Sequence, residues 1–341
     1  MKKFLLATTF LAATTSLAAA EISMSGDARM GIVSRYSVDA GENQLGFSSR
    51  ARLKFTLSGE TDGGLSFGAT FRADQAAGSS KGIEGEAYLS GAFGKITMGD
   101  NDSAANVVIG HVDGVGYTGN GDFNEIRYVG QTDTSVLYTY VQGATTIAAS
   151  IGQIDAERDY DDNAAQAYAL AASYSFGTYK VMAGYEKGQT VVYSFRNIDD
   201  AYDPDPENTY WDRFDVDSHV VLGADATFGA ISVKARAGIG GGLSYGEYPV
   251  DGTQYALSAT YVADALAVTA FVAGSDLAYE WIDGEDYGFK TLRLGIGATY
   301  DLGGGAAVSA GYTRVKSGLI NYGGIEDWTD DRFETGVKFS F

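Results

Sequence analysis

The sequence predicts an all-β protein, a 16-stranded antiparallel β-barrel that spans a membrane. Apolar and polar residues alternate with a period of two in one segment after another, as in strands with two unlike faces. The connections between these segments alternate between short and long. Beyond the first twenty residues there is no run of about 18 apolar residues that would form a transmembrane helix. The composition agrees, because 46 glycines, 23 tyrosines and only 3 prolines suit many hairpins.

Residues 1–20 have the pattern of a secretory signal peptide. Lys2 and Lys3 supply the positive start, and an uncharged stretch of apolar, Ser and Thr residues follows. The small residues Ala18-Ala19-Ala20 complete a cleavage site. We therefore expect residues 21–341 to form one β-barrel domain after cleavage, with a net charge more negative by two than the −20 of the whole chain.

The last segment of the chain shows the alternation clearly. One face would carry Phe333, Thr335, Val337, Phe339 and Phe341. The other face would carry Arg332, Glu334, Gly336, Lys338 and Ser340. A helix would mix Arg332 and Lys338 with the apolar side chains, so the pattern favours a strand. Residues 48–58 alternate in the same way, and in a membrane barrel the apolar face meets lipid while the charged face meets water.

The connections set the number of strands. The short ones lie at 61–64, 93–94, 142–143, 176–177, 228–229, 262–265 and 301–305, and they contain the Gly or Asp residues of tight hairpins. The long ones lie near 34–45, 74–85, 100–133, 153–165, 187–215, 240–252, 274–289 and 316–331. Seven short turns and eight long loops join sixteen strands, with short periplasmic turns and long external loops. Tyrosines near the short turns predict an aromatic girdle: Tyr174, Tyr179, Tyr261 and Tyr300.

Charge and residue types exclude several classes of protein. A chain this acidic repels nucleic acid, so no nucleic-acid partner is expected. There is no cysteine, and therefore no disulfide framework or thiolate metal site. Residues 64–68 and 242–246 match G-x-S-x-G, but neither is followed by helical periodicity, and no histidine follows Ser244. We therefore predict that the protein is not an enzyme and that His219 lies in the barrel lumen or at its rim.

The longest interruption, residues 100–133, has the features of a loop that folds into the barrel. Its middle, residues 104–112, is small and apolar, which suits packing on a wall better than exposure to solvent. We predict that this third loop folds inward and that its acids form one half of a constriction. The candidates are Asp100, Asp102, Asp113, Asp122 and Glu125.

A basic face is predicted on the first three strands. Alternation directs five side chains to the water-facing side: Arg29, Arg50, Arg52, Lys54 and Arg72. A row of like charges is costly unless opposite charges face it, and the acidic loop is available. Opposed charges across a narrow ring would create a transverse field that favours small polar solutes. Alternatively, these arginines pair with strand carboxylates such as Asp27 and Asp74, and the sequence leaves both interpretations open.

An acidic external loop is a candidate calcium site. Asp199, Asp200, Asp203 and Asp205 lie close together in the sequence, and Ca²⁺ prefers carboxylate and carbonyl oxygens. The spacing matches no EF-hand template, so a solvated acidic surface explains the cluster equally well. No other cofactor is expected.

Five segments occur in a specific order and spacing from the first strand onward: Ser25–Gly31, Phe47–Arg50, Leu89–Ile96, Val115–Thr118 and Tyr300–Gly305. With the final Phe341, they resemble the general-diffusion porins of alphaproteobacteria, a Gram-negative outer-membrane family. The resemblance implies a homotrimer, contact with outer-membrane lipid and lipopolysaccharide, an inward third loop, and Ca²⁺ near acidic loop carboxylates. It also implies Arg29, Arg50 and Arg52 as the basic half-ring.

The expected function is passive diffusion of ions and small hydrophilic solutes through a water-filled channel in the outer membrane. Two alternatives are open, and the second belongs to another functional class. A solute-specific channel of the same fold would show saturable transport. An outer-membrane lipid hydrolase would need a Ser/His pair on the outer wall.

Overall fold

The computed structural model describes residues 21–37, 42–76, 85–120, 122–129, 135–152, 166–195, 209–245, 248–280, 286–321 and 324–341. The predicted signal peptide and the four aspartates of the predicted calcium site lie outside these residues. Within them, one short helix occurs, α1 (Ala104–Ile109). No helix in the described part of the chain is long and apolar enough to cross a membrane.

Sixteen strands lie within the described residues. The first eight are β1 (Glu21–Ser37), β2 (Glu42–Glu60), β3 (Ser66–Ala76), β4 (Gly85–Gly91), β5 (Gly94–Gly99), β6 (Ser135–Gln142), β7 (Thr145–Ile151) and β8 (Gln166–Phe176). The others are β9 (Tyr179–Phe195), β10 (Thr209–Phe228), β11 (Ile231–Tyr245), β12 (Tyr248–Ala263), β13 (Leu266–Glu280), β14 (Asp286–Gly303), β15 (Ala306–Asn321) and β16 (Gly324–Ser340).

The strands form a closed antiparallel barrel in sequence order. Each pairs with its neighbour along the chain, and β1 pairs with β16 to close the sheet. The C-terminal residue extends this closing ladder, because the Phe341 N–H donates to Gly26 O at 2.9 Å and the Phe341 carbonyl accepts from the Gly26 N–H at 3.2 Å. Closure satisfies the backbone groups that an open sheet edge would leave unpaired. The predicted fold class is confirmed.

The short turns follow the predicted chemistry. Gly177 and Gly229 each open a two-residue turn with φ near +60°. A positive φ at the first of two turn residues is typical of type II′ hairpins, which match the twist of paired strands. The predicted girdle tyrosines are about half exposed on the outer face near these turns.

The strands continue farther at the opposite end than the sequence predicts. Parts of 187–215, 240–252, 274–289 and 316–331, predicted as loops, are strand. Tyr279 pairs with Tyr287, for example, and Ser317 with Trp328. A hairpin with water on both faces needs no apolar face, because its backbone hydrogen bonds do not depend on the side chains. The alternation of apolar and polar residues therefore ends in the sequence before the paired strands end.

Residues 100–120 and 122–129 run inside the barrel. Helix α1 packs on the inner faces of β7, β8, β9 and β10, and its buried side chains join those of the wall in one apolar cluster. Two wall glycines make room for it. A Cβ at Gly184 would lie 3.0 Å from the Ala105 Cβ, and one at Gly223 would lie 2.9 Å from Ile109 Cγ2. The described part of the third loop therefore lies against the inner wall at α1.

The inserted loop also packs on a second part of the wall, which is formed by inward-facing glycines on β14, β15, β16 and β1. A Cβ at Gly311 would lie 2.6 Å from the backbone nitrogen of Gly116, and one at Gly297 would lie 2.8 Å from Val115 Cβ. A Cβ at Gly336 would lie 2.9 Å from the Tyr117 ring. Small wall residues thus let the segment 115–117 lie directly on the sheet.

We expect Gly311→Val to lower the free energy of unfolding by about 1–3 kcal/mol, because the added side chain overlaps loop backbone that cannot move independently. The control is Gly46→Val on β2, where a Cβ meets nothing within 4 Å. There we expect a change within about 0.5 kcal/mol. Unfolding in detergent, followed by circular dichroism, measures both. Equal effects of the two substitutions would contradict the direct packing of residues 115–117 on the wall glycines.

Candidate functional site

The inserted loop is tied to the wall at Asp113. Lys234 Nζ on β11 lies 2.6 Å from Asp113 Oδ1, and Thr260 on β12 donates to the other carboxylate oxygen at 3.0 Å. The Asp113 N–H donates to Ser258 Oγ at 3.0 Å. Asp113, a predicted member of the acidic half-ring, therefore serves as an anchor on the β11–β12 wall.

The loop next reaches the opposite part of the barrel. The N–H of Thr118 donates to Glu334 Oε1 on β16 at 2.8 Å, and its hydroxyl donates to the other oxygen of the same carboxylate. Arg29 on β1 donates to Thr118 O at 3.3 Å. Asn120 donates to Thr313 Oγ1 on β15 at 2.5 Å. The loop therefore crosses the interior from β5 toward β16 and contacts the predicted basic wall at Arg29.

Four of the five predicted loop acids lie around one cavity of about 570 Å³. They are Asp100, Asp102, Asp122 and Glu125. We call this group the acidic cavity. His111 also lines it, with Nε2 3.6 Å from Glu125 Oε2, and Arg127 and the β14 residue Arg293 contribute positive charge. The cavity therefore gathers both signs of charge on one side of the loop.

Burial and neighbouring charge shift two protonation equilibria in the acidic cavity. Burial, followed by the negative charges of Asp122 and Asp102, raises the pKa of Glu125 to about 7, against the opposing effect of Arg293. Burial lowers the pKa of His111, with Arg236 acting in the same direction and Asp102 and Asp122 opposing it. Glu125 therefore changes charge near neutral pH.

The predicted basic residues share one face of β1, β2 and β3. Arg29 pairs in register with Arg50, and Lys54 pairs with Arg72. Lys338 on β16 lies opposite Arg29, on the same face as Glu334. Because Glu334 contacts the inserted loop, this face points into the barrel.

The alternative pairing with strand carboxylates is also present on this face. Arg50 Nη2 lies 2.6 Å from Asp27 Oδ1. Asp27 and Asp74 both stand opposite Arg52 in the register of the neighbouring strands. The wall therefore includes the Asp27 carboxylate among its basic residues, and its net positive charge is smaller than the number of its cations indicates.

The site residues predicted from the sequence did not include several charged residues that face inward. Arg236 on β11 donates from Nε to Ile109 O at 2.9 Å and pairs with Asp225 at 2.6 Å. Arg293 lies between two leucines on β14, and Lys234 lies two positions from Arg236 on β11. Glu334 belongs to the polar face predicted for the last segment, but it was not named as a site residue. Alternation shows that they face inward, but it does not show that the loop passes over them.

The residues considered for catalysis do not form a hydrolase site. Ser66 begins β3 and Ser244 lies within β11, so neither G-x-S-x-G segment is the strand-turn-helix elbow that the motif requires. His219 faces inward on β10, as predicted, but it is fully buried beneath the loop.

The calcium prediction for Asp199, Asp200, Asp203 and Asp205 stays a prediction, because these residues lie outside the described ranges. Among the residues that the structure does describe, no group of three or more His, Asp or Glu side chains is placed to hold a metal ion. The acidic cavity is therefore an arrangement of separate carboxylates and not a metal-binding cage.

Sequence comparisons agree with this architecture. Residues 7–318 match the family model for Gram-negative porins. The chain is 35% identical to a porin of Rhodobacter capsulatus over 343 residues, covering 94% of this chain and all of that relative. It is 27% identical to outer membrane protein U of Vibrio cholerae over 185 residues, covering 48% of this chain and 53% of that protein.

Solved structures share the barrel. A porin structure refined at 1.8 Å is 33% identical, with a TM-score of 0.65, and the match covers 94% of this chain and all of that one. A variant of Rhodopseudomonas blastica porin has the same coverage with 21% identity and a TM-score of 0.64, which shows likeness of fold alone. The closed barrel and a family match over most of the sequence lead to one conclusion: the chain belongs to the Gram-negative porins, which form channels in the outer membrane.

Proposed function

We propose that the channel is narrowest where loop 100–129 crosses the barrel, and that ions and small hydrophilic solutes diffuse passively past it. The observation that carries the proposal is the path of the loop, which is anchored to β11 through Asp113 and to β16 through Thr118. A barrel of this strand number otherwise encloses a wide aqueous lumen, so an inserted segment determines the free cross-section.

Charge on the two sides of this passage gives it a chemical preference. The acidic cavity supplies carboxylates from the loop, and the inward face of β1, β2 and β3 supplies guanidinium and ammonium groups. Small hydrated ions and polar solutes exchange water contacts for contacts with these groups. An apolar solute gains no such contacts, so we propose that it passes more slowly.

We further propose that the protein has no catalytic activity and shows no strong preference for one solute. The position of His219 supports the first point, because it is fully buried inside the barrel and so cannot form a Ser/His pair on the outer wall. A solute-specific channel is distinguished by conductance that saturates with one class of solute.

Homotrimer formation and contact with lipid and lipopolysaccharide are proposals about the outer surface. Large apolar side chains face outward on many strands, including Phe47, which is 95% exposed in the single chain. A second copy or lipid would cover such side chains in the membrane. We also propose that residues 1–20 are a signal peptide and that the acidic external loop binds a structural Ca²⁺.

Neutralising the basic wall tests the charge arrangement. We expect Arg50→Gln together with Arg52→Gln to shift selectivity toward cations, because two positive charges leave the lumen while the loop acids remain. Reversal potentials of the purified protein in planar bilayers under a salt gradient measure the shift. The control is Lys316→Gln, which removes an exposed charge from the outer face of β15. An unchanged reversal potential would count against the charge arrangement, and a protein that gives no conductance steps would exclude the channel.

The pH dependence of selectivity tests the role of Glu125. With a pKa of about 7, this carboxyl is ionised above neutral pH and protonated below it. Cation preference should therefore fall as the pH decreases from 8 to 6, since one negative charge is lost at the loop. We expect Glu125→Gln to remove most of this pH response while retaining conductance. An equal response in both proteins would show that Glu125 does not face the permeation path.

A further inference from the structure

Three polar side chains lie buried under the inserted loop and are absent from the proposed charge arrangement of the channel. Glu186 on β9 and His219 on β10 have no exposed surface, and Gln254 on β12 is 3% exposed. Burying a carboxylate and an imidazole is costly unless their hydrogen-bonding groups find partners. The hydrogen-bond partners of these three side chains therefore indicate their structural role.

Glu186 binds both ends of the loop with one carboxylate. Its Oε1 accepts a hydrogen bond from the Ser103 hydroxyl at 2.5 Å, where the loop enters α1. Its Oε2 accepts from the backbone N–H of Val129 at 3.0 Å, where the loop returns toward the wall. The same oxygen lies 2.9 Å from His219 Nδ1. Ser103 and Val129, which are 26 positions apart in the sequence, therefore both bind the side chain of Glu186.

Gln254 holds the returning end a second time. Its Oε1 accepts from the Arg127 N–H at 2.7 Å, and its Nε2 donates to the Arg127 carbonyl at 2.6 Å. The same nitrogen lies 3.2 Å from His219 Nε2. Gly238 on the intervening strand β11 leaves the space for this contact, because a Cβ there would lie 2.7 Å from His219 Nε2.

The hydrogen-bond pattern determines which ring nitrogen of His219 donates and which accepts. Nδ1 must donate, because its neighbour is a carboxylate oxygen of Glu186. Both hydrogens of the Gln254 amide are then used, one toward Arg127 and one toward His219, so Nε2 must accept. The pattern is complete with a neutral imidazole that carries its proton on Nδ1.

We propose that Glu186, His219 and Gln254 are positioning residues that form one clamp, which closes the base of the inserted loop and sets its distance from the opposite wall. The clamp holds the entry of the loop through Glu186 alone and its exit through both Glu186 and Gln254. His219 links the two halves, since reversing its donor and acceptor sides would oppose the Gln254 amide with another donor. The consequence for channel width rests on the proposed function, whereas the clamp itself does not.

This assignment predicts graded effects at the two ends of the loop. Glu186→Gln places an amide donor where donors already point and should loosen both ends. Gln254→Ala removes the contacts to Arg127 and should loosen the exit more than the entry. If apolar packing of α1 alone positions the loop, neither substitution changes the mobility of either end.

Spin labels measure these effects cleanly, because the chain contains no cysteine. A nitroxide is attached at Asp102→Cys, beside the entry contact, or at Arg127→Cys, at the exit contact, where both side chains are exposed. Electron paramagnetic resonance spectra are then recorded for the full barrel in lipid. We expect broad spectra with the intact clamp, narrowing at both labels in Glu186→Gln, and narrowing chiefly at residue 127 in Gln254→Ala.

Ser309→Ala is the matched control, because Ser309 is a buried wall residue that bonds to Thr299 and not to the loop. Unchanged spectra in Glu186→Gln, or equal narrowing in the control, would overturn the clamp. Circular dichroism confirms that each barrel has folded, and Gln254→Ala keeps the test available if Glu186→Gln does not fold. Conductance of the unlabelled variants is measured separately, so failure of the channel proposal is distinguishable from failure of the clamp.

Discussion

The structure depends on hydrogen bonds between the barrel wall and the backbone of the inserted loop. A loop inside the barrel removes peptide groups from bulk water, and each needs a partner. Wall side chains supply these partners at separated points: Glu334 binds the N–H of Thr118, Arg236 binds the carbonyl of Ile109, and Gln254 binds both backbone groups of Arg127. Burial of the apolar side chains of α1 favours insertion. Without these contacts, however, the inserted peptide groups would be buried without hydrogen-bond partners.

This requirement divides the carboxylates of the lumen into two kinds. Glu186, Glu334 and Asp113 are engaged with the loop or the wall, so their charges are already compensated by donors. The carboxylates of the acidic cavity instead line a space of about 570 Å³, together with His111, Arg127 and Arg293. A count of acidic residues therefore overstates the charge that a passing ion meets, which is also why the net charge of −20 does not predict ion preference.

The sequence predicted the barrel, its hairpin turns and the inward basic face, because all three depend on local alternation and turn chemistry. It did not predict the clamp, since Glu186 and His219 are 33 positions apart and His219 and Gln254 are 35 positions apart. Their meeting depends on the register of β9 to β12, which alternation within one strand does not define. For the same reason, Asp113 looked equivalent to Glu125 although it faces Lys234.

The central claim is that the loop packs directly on the inner wall. It is tested most directly by disulfide formation in an Ala105→Cys, Gly184→Cys variant, because a Cβ at residue 184 would lie 3.0 Å from the Ala105 Cβ. The Cβ atoms of a disulfide are about 3.5–4.5 Å apart, so α1 has to shift by only a few tenths of an ångström to accommodate the bond. We predict that the two cysteines cross-link under mild oxidation and that single-channel conductance changes only slightly, since the bond joins two elements that already lie side by side. Ala105→Cys with Gly46→Cys should not cross-link. Absence of the disulfide, or a marked change in conductance when it forms, would contradict the account.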